Sequence, residues 1–267
     1  MMKKLVLIIT LMFLKTTLFA QNEPGDIETD RPDQTETPSL VPPGYFQVEL
    51  GIQSQYDERN DIYSTDAVEF REFLYPTALL KYGVLPWLEL RFIAEYADNR
   101  AYLNGKEVEQ HHGFNPLAVG TKIAFWQENE WIPKTSLIAH ITLPKTGADT
   151  FQIENPVIDY RFVMSHLLPN DLALSYNLGG EINTASGTSP VWLYTLSLGW
   201  NMTEQIGLFA ETYGFYSTDE RAQNLLDAGI TYKLFKNVQF DLSAGLAISD
   251  ASPDSFVSAG VSFRLPR

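Results

Sequence analysis

The 267-residue chain contains no cysteine. That excludes disulfides as a source of stability, together with thiolate catalysis and cysteine-based metal sites. Long apolar runs are nearly as scarce. The run near the start, Leu5 to Leu14, is about ten residues, too few to cross a bilayer as a helix. No later segment is long and apolar enough for one either, so a helical membrane architecture is excluded. Basic residues are in short supply: 19 Lys and Arg stand against 33 Asp and Glu, for a net charge of −14. Phosphate backbones require Lys and Arg, so nucleic acid is not a partner for this chain. No phosphate-binding glycine loop and no dinucleotide fingerprint is present, and no cofactor is implied.

What is present begins with a leader. Met1-Met2-Lys3-Lys4 is a basic start, Leu5 to Leu14 an apolar middle, and Leu18-Phe19-Ala20 a cleavage site before Gln21. These predict a signal peptide over residues 1–20, and hence export. Its removal takes three lysines and moves the net charge from −14 to −17.

Residues 21–43 form a second, distinct stretch. Six acids (Glu23, Asp26, Glu28, Asp30, Asp33, Glu36) face Arg31 alone, with five prolines among them. No strand or helix period runs through it, and in isolation such a segment stays disordered or extended.

From residue 44 onward the pattern changes to strict alternation. Phe46, Val48, Leu50, Ile52 and Tyr56 share one row while Gln47, Glu49, Gly51 and Gln53 share the other; Leu88, Leu90, Phe92, Ala94 and Tyr96 repeat the arrangement against Glu89, Arg91 and Glu95. Twelve segments read this way: Phe46 to Tyr56, Leu74 to Tyr82, Leu88 to Tyr96, Leu117 to Phe125, Leu137 to Leu143, Ile158 to His166, Leu172 to Ile182, Trp192 to Trp200, Ile206 to Tyr216, Leu226 to Leu234, Val238 to Ile248 and Val257 to Leu265. Their apolar rows hold no Asp, Glu, Lys or Arg. Lipid explains this, since a Lys or Arg at the bilayer midplane costs roughly 2–4 kcal/mol. Each segment has about the length a tilted strand needs to span.

A soluble sandwich would also alternate. Three features weigh against it. Every neighbouring pair joins as a simple hairpin, whereas sandwiches need long crossovers. Aromatics such as Tyr82, Tyr96, Trp192, Trp200 and Tyr216 gather at row ends, as interfacial girdles do. Glycine recurs on the polar row, at 51, 120, 179, 207, 229, 245 and 260 among others, which suits a crowded concave interior. The fold expected is therefore all-β: a twelve-stranded antiparallel up-and-down transmembrane barrel over residues 44–267. Tight links at Gly83–Trp87, Leu167–Asp171, Met202–Gln205 and Phe235–Asn237 should face the periplasm; the longer Asp57–Asp66, Ala97–Gly113 and Pro144–Glu154 should be extracellular loops.

A family resemblance reinforces this. Glu28-Thr29-Asp30-Arg31-Pro32-Asp33-Gln34-Thr35-Glu36-Thr37-Pro38, followed by Val41-Pro42-Pro43-Gly44-Tyr45-Phe46-Gln47-Val48-Glu49, resembles a bacterial outer-membrane β-barrel family named for transport in the meta pathway of phenol degradation. Leu80-Lys81-Tyr82-Gly83 with Leu88-Glu89-Leu90-Arg91, Asn177-Leu178-Gly179 and Glu211-Thr212-Tyr213-Gly214 support it, and the likeness covers essentially the whole mature chain. The fourth strand departs from the pattern: Asn115 and Pro116 stand where an acid is expected before Val119-Gly120-Thr121-Lys122. The resemblance implies passage of small molecules, aromatic or hydrophobic ones among them, across the outer membrane of a Gram-negative bacterium.

The inward row carries the candidate site residues: the acids Glu49, Glu89, Glu95, Asp159, Glu181, Glu211, Asp227 and Asp241, and the bases Lys81, Arg91, Lys122, Arg161, Lys233 and Arg264. They suit a polar, charge-lined pathway. They equally suit an ion-pair network that fills and stiffens the interior. Glu28, Asp30, Arg31, Asp33 and Glu36 are plug candidates, because their carboxylates could meet Lys81, Arg91, Lys122 or Lys233 if the segment folds inward; otherwise it is a periplasmic tail.

Enzyme chemistry has little support. His111 and His112 are adjacent and would point to opposite faces of a strand, so no metal site is assigned. Ser136 and His140 share a face but lie about 13 Å apart along a strand, too far for a dyad. The expected function is a small-molecule channel in contact with outer-membrane lipid. The alternative is a closed structural barrel whose loops and N-terminal segment bind a periplasmic protein.

Overall fold

The computed structural model describes residues 24–60 and 67–266; the leader lies outside them. Thirteen strands form one antiparallel sheet: β1 (Phe46–Asn60), β2 (Ala67–Leu85), β3 (Leu88–Leu103), β4 (Lys106–Phe114), β5 (Ala118–Trp126), β6 (Lys134–Thr142), β7 (Val157–Leu168), β8 (Leu172–Asn183), β9 (Val191–Asn201), β10 (Ile206–Tyr216), β11 (Gln223–Phe235), β12 (Val238–Ala247) and β13 (Ser255–Leu265). Each pairs with its neighbours in sequence except β4 and β5, which both pair with β3, and β1 pairs with β13 from Phe46↔Leu265 to Tyr56↔Ser255, which closes the sheet. The result is a twelve-stranded barrel. The thirteenth strand arises because one stave is broken: β3 pairs with β4 along its upper half and with β5 along its lower half. Asn115-Pro116-Leu117 is the break, and Pro116 has no N–H to give a ladder.

The outer face is apolar and the inner face polar. Leu242 is 55% exposed on the outside, whereas Lys122 on the inside is 0% exposed. Leu196 points outward and its neighbour Ser197 inward. A barrel with this surface is satisfied in lipid, where every strand edge must be paired.

Three expectations need correction. Residues 97–113 are not a loop: β3 runs on to Leu103 and returns as β4, turning at Asn104 (φ 50°) and Gly105 (φ 75°). Two consecutive left-handed residues give the turn whose twist fits a hairpin. Likewise β1 extends to Asn60 and β2 begins at Ala67, so β2 reaches 19 residues and this quarter of the wall stands taller than the rest. Finally, Leu74 is not on the lipid row. A bulge between Leu74 and Thr77 takes up Tyr75 and Pro76, and Leu74 pairs with Gln53 and Ala97 on the inward row. A proline inside a doubly paired strand has to sit at such an irregularity.

The inward row is not wholly polar either. Tyr213, Leu225 and Phe256 pack together with Phe215 inside the barrel, towards the mouth opposite the short turns. Gly245 makes room for them, since a Cβ there would stand 2.1 Å from the Phe256 ring.

Candidate functional site

The segment before β1 runs through the interior. It enters at the mouth bearing the short turns, where the Ile27 amide donates to the Lys236 carbonyl and Asp26 pairs with Lys233 at 2.6 Å. That ammonium holds the Asp26 carboxyl below its ordinary range. Arg264 donates to the Gly25 and Asp26 carbonyls there. The segment then rises to mid-barrel, crosses, and returns along β5 and β6 to the Val41-Pro42-Pro43 run beside Gly83. Bare backbone at Gly83 allows this approach: a Cβ would lie 2.2 Å from the Val41 and Pro42 carbonyls.

At mid-barrel Asp30 meets three bases from three staves. Lys81 on β2 lies 2.8 Å from its carboxylate, Arg91 on β3 2.9 Å, and Lys122 on β5 2.9 Å. The Thr37 amide donates to the same carboxylate at 3.1 Å. Glu49 and Glu89 stand beside Lys81 and Arg91 on the wall, and Glu49 also accepts from the Asp30 amide. Glu36 adds a second carboxylate, 2.6 Å from Arg91 and 3.9 Å from Arg161. Glu36 and Arg161 are half-buried and the other charged groups are buried, and a buried charge needs this degree of pairing. Further along, the Arg91 Nε donates to His140 Nε2 at 3.0 Å, and Asp159 stands by His140 and Arg161. Ser136 donates to the Pro38 carbonyl, so Ser136 and His140 attend to different partners.

Arg31 turns the other way. It pairs with Asp241 at 3.0 Å and donates to Ser258 and Thr77. Its guanidinium lies on Gly51 and Gly260, which are opposite each other in the β1–β13 ladder; a Cβ on either would come within 2.4 Å of it.

On the facing wall the charges are all of one sign. Glu211 on β10 is directly opposite Asp227 on β11, and Asp33 lies within their field. Glu211 accepts from the Gln34 amide and the Thr35 hydroxyl, and Asp33 from Ser197. No base among the described residues pairs with these three acids. Both carboxylate oxygens of Asp227 are buried without a hydrogen-bond partner among the described residues. Asp33 therefore does not meet a base, unlike Asp30 and Glu36. Glu95 is half-buried near Asn115, and Glu181 is exposed towards the far mouth. Glu28 is exposed at the near mouth and accepts from Ser39.

Spaces remain around the segment. One of about 190 Å³ lies at mid-barrel between the segment and the wall, touching Asp30, Glu36, Arg91, Arg161, Leu79 and Ile93. Another, about 410 Å³, lies at the near mouth beside Glu28, Ser39, Lys134 and Lys233. A third, about 480 Å³, opens at the far mouth and is lined by Asp57, Arg59, Phe70, Glu72, Asn99 and His111 among others. His111 pairs with Glu109 on this inward side, while His112 is opposite Asp98 on the other face.

Sequence patterning marks the inward charges but misses Thr77, Asn177, Thr195 and Ser258, which hold the segment by hydrogen bonds. Their only signal is position on the inward row.

Over residues 29–265 the sequence matches the family described as MetA-pathway of phenol degradation. The chain belongs to this family. Among solved structures, this family member is similar to an outer membrane channel from Pseudomonas putida F1, with 11% identity, 92% of this chain and 100% of that chain covered, and a TM-score of 0.69. It is also similar to the translocator domain of the autotransporter NalP from Neisseria meningitidis, with 11% identity, 82% and 88% covered, and a TM-score of 0.54. No curated protein matches it significantly in sequence. Barrels of this fold with an apolar outer face are outer-membrane proteins of Gram-negative bacteria.

Proposed function

We propose that the protein is an outer-membrane channel for small molecules, closed by its own N-terminal segment. The observation that carries this reading is the Asp30 carboxylate, held inside the barrel by Lys81, Arg91 and Lys122 at 2.8 to 2.9 Å. The segment is bound to the wall chiefly through side chains, while the wall itself closes through the β1–β13 ladder. Withdrawing the segment breaks ion pairs and leaves the ladder intact. The pathway then exposed is lined by Lys81, Arg91, Lys122, Arg161, Glu49 and Glu89, and such charge rows set selectivity in pores. The family description supports an aromatic or otherwise apolar cargo, and the Pseudomonas putida relative is itself a channel.

Conductance in planar bilayers tests the reading. Deleting residues 24–38 is expected to raise single-channel conductance, and Asp30→Asn with Glu36→Gln to raise it in part. Unchanged conductance in the deletion would favour the other reading: a closed structural barrel whose segment docks a periplasmic protein.

A further inference from the structure

Asp30 fills a site that the barrel wall builds without it. Lys81, Arg91 and Lys122 come from three different staves, their side chains are at most 1% exposed, and all three converge on one carboxylate. The wall supplies two acids of its own, Glu49 on Lys81 and Glu89 on Arg91. Three positive charges against two negative leave the wall one positive charge in excess. Asp30 answers it by touching all three bases, while Glu36 reaches Arg91 at 2.6 Å and Arg161 at 3.9 Å. The geometry around Asp30 is that of a carboxylate receptor, with the Lys122 ammonium on one oxygen and the Lys81 ammonium and Arg91 guanidinium on the other.

The space beside it says more about the ligand. The mid-barrel cavity of about 190 Å³ touches Asp30 and Arg91 at one side and Leu79 and Ile93 at another. Leu79 and Ile93 are paired in the β2–β3 ladder on the inward row, directly above the bases. An acid whose carboxylate reaches Arg91 can lay an apolar body against these two side chains. Neither a neutral alcohol nor an amine satisfies the bases.

We infer that Lys81, Arg91 and Lys122 bind the carboxylate of a small monocarboxylic acid with an apolar body, and that Asp30 holds this site in its absence. Cargo and segment compete for the same donors, so the acid displaces Asp30 and opens the channel. This rests on the reading of the segment as the closing element.

Sodium benzoate, with benzyl alcohol and benzylamine as controls of the same size, provides the test, using the full-length protein in planar bilayers. Benzoate is expected to raise conductance saturably, and the two controls at equal concentration to leave it unchanged. In Asp30→Asn the internal competitor is gone, and the half-saturating benzoate concentration should fall by about tenfold, the worth of one charge-assisted hydrogen bond. A second readout does not depend on conductance: benzoate should raise the thermal midpoint of refolded Asp30→Asn more than that of the parent protein, by occupying the emptied site. Lys122→Met should abolish both responses; should it fail to refold, Lys81→Met serves in its place. Equal responses to benzoate and benzyl alcohol, or a half-saturating concentration unchanged in Asp30→Asn, would overturn the inference. The deletion of residues 24–38 separates the two failures. If it raises conductance while benzoate acts no differently from the alcohol, the segment closes the channel but the acid is not its ligand. If it leaves conductance unchanged, the closing role itself falls, and this inference with it.

Discussion

The two walls that face each other across the segment treat the same kind of side chain in opposite ways. On the side formed by β2, β3, β5 and β7, two segment carboxylates meet four bases, and the charges interlock at 2.6 to 3.9 Å. On the β10–β11 side, Asp33, Glu211 and Asp227 lie together with hydroxyls and amides but no base. An acid is anchored on the first wall and merely accommodated on the second. The inward rows carry this difference in sign, Lys81, Arg91 and Lys122 on one wall and Glu211 and Asp227 on the other. The segment is thus held by ion pairs along one side and by hydrogen bonds along the other.

Removing charge from each wall should therefore have opposite signs. Asp30→Ala leaves Lys81, Arg91 and Lys122 buried with one partner fewer, and losing one member of a buried pair costs about 3–5 kcal/mol. The loss should appear as rapid proteolysis of residues 24–40 in the folded barrel. If the segment stays protected, the base side is not what anchors it.

Next in size are substitutions on the outer face. Phe92→Arg lies outside the base-rich wall and Leu196→Arg outside the wall opposite. Both should lower barrel stability in liposomes by roughly 2–4 kcal/mol, because lipid meets the two walls alike. A large difference between them would mean that the inner charges reach through the sheet.

Gly51→Val and Gly260→Val probe the boundary between the two walls, where Arg31 lies on bare backbone. A side chain at either position evicts the guanidinium, with overpacking worth about 1–3 kcal/mol. Conductance should rise, and Arg31→Ala should relieve the packing defect.

The smallest effect is on the acid side, and it has the reverse sign. Asp227→Asn or Glu211→Gln removes one of two like charges directly opposite on paired strands, a repulsion worth roughly 0.2–1 kcal/mol. The unfolding midpoint should stay level or rise slightly. A fall comparable to that of Asp30→Ala would show the acid side to be an anchor as well.

Much of this molecule is written in a period of two. A strand has only two faces, so the rows of Leu88-Leu90-Phe92 and Glu89-Arg91 already divide lipid from lumen, and twelve such segments joined by hairpins leave closure as the way to satisfy both edges. Residues 97–113 were illegible for the same reason: Tyr102, Glu107 and Glu109 are polar on both rows there, because above the membrane neither face needs to be apolar. The Leu74 frame was lost to a bulge, which shifts parity without changing composition. Alternation also says which way Lys81, Arg91 and Lys122 face, but not that one carboxylate 51 to 92 residues away in sequence joins them. Whether 21–43 is tail or filling depends on the volume inside the closed wall, on glycines 51, 83 and 260 lying where the segment passes, and on which bases end up at the same height. Those are properties of register and curvature summed around the barrel, and they exist only once the first strand has found the last.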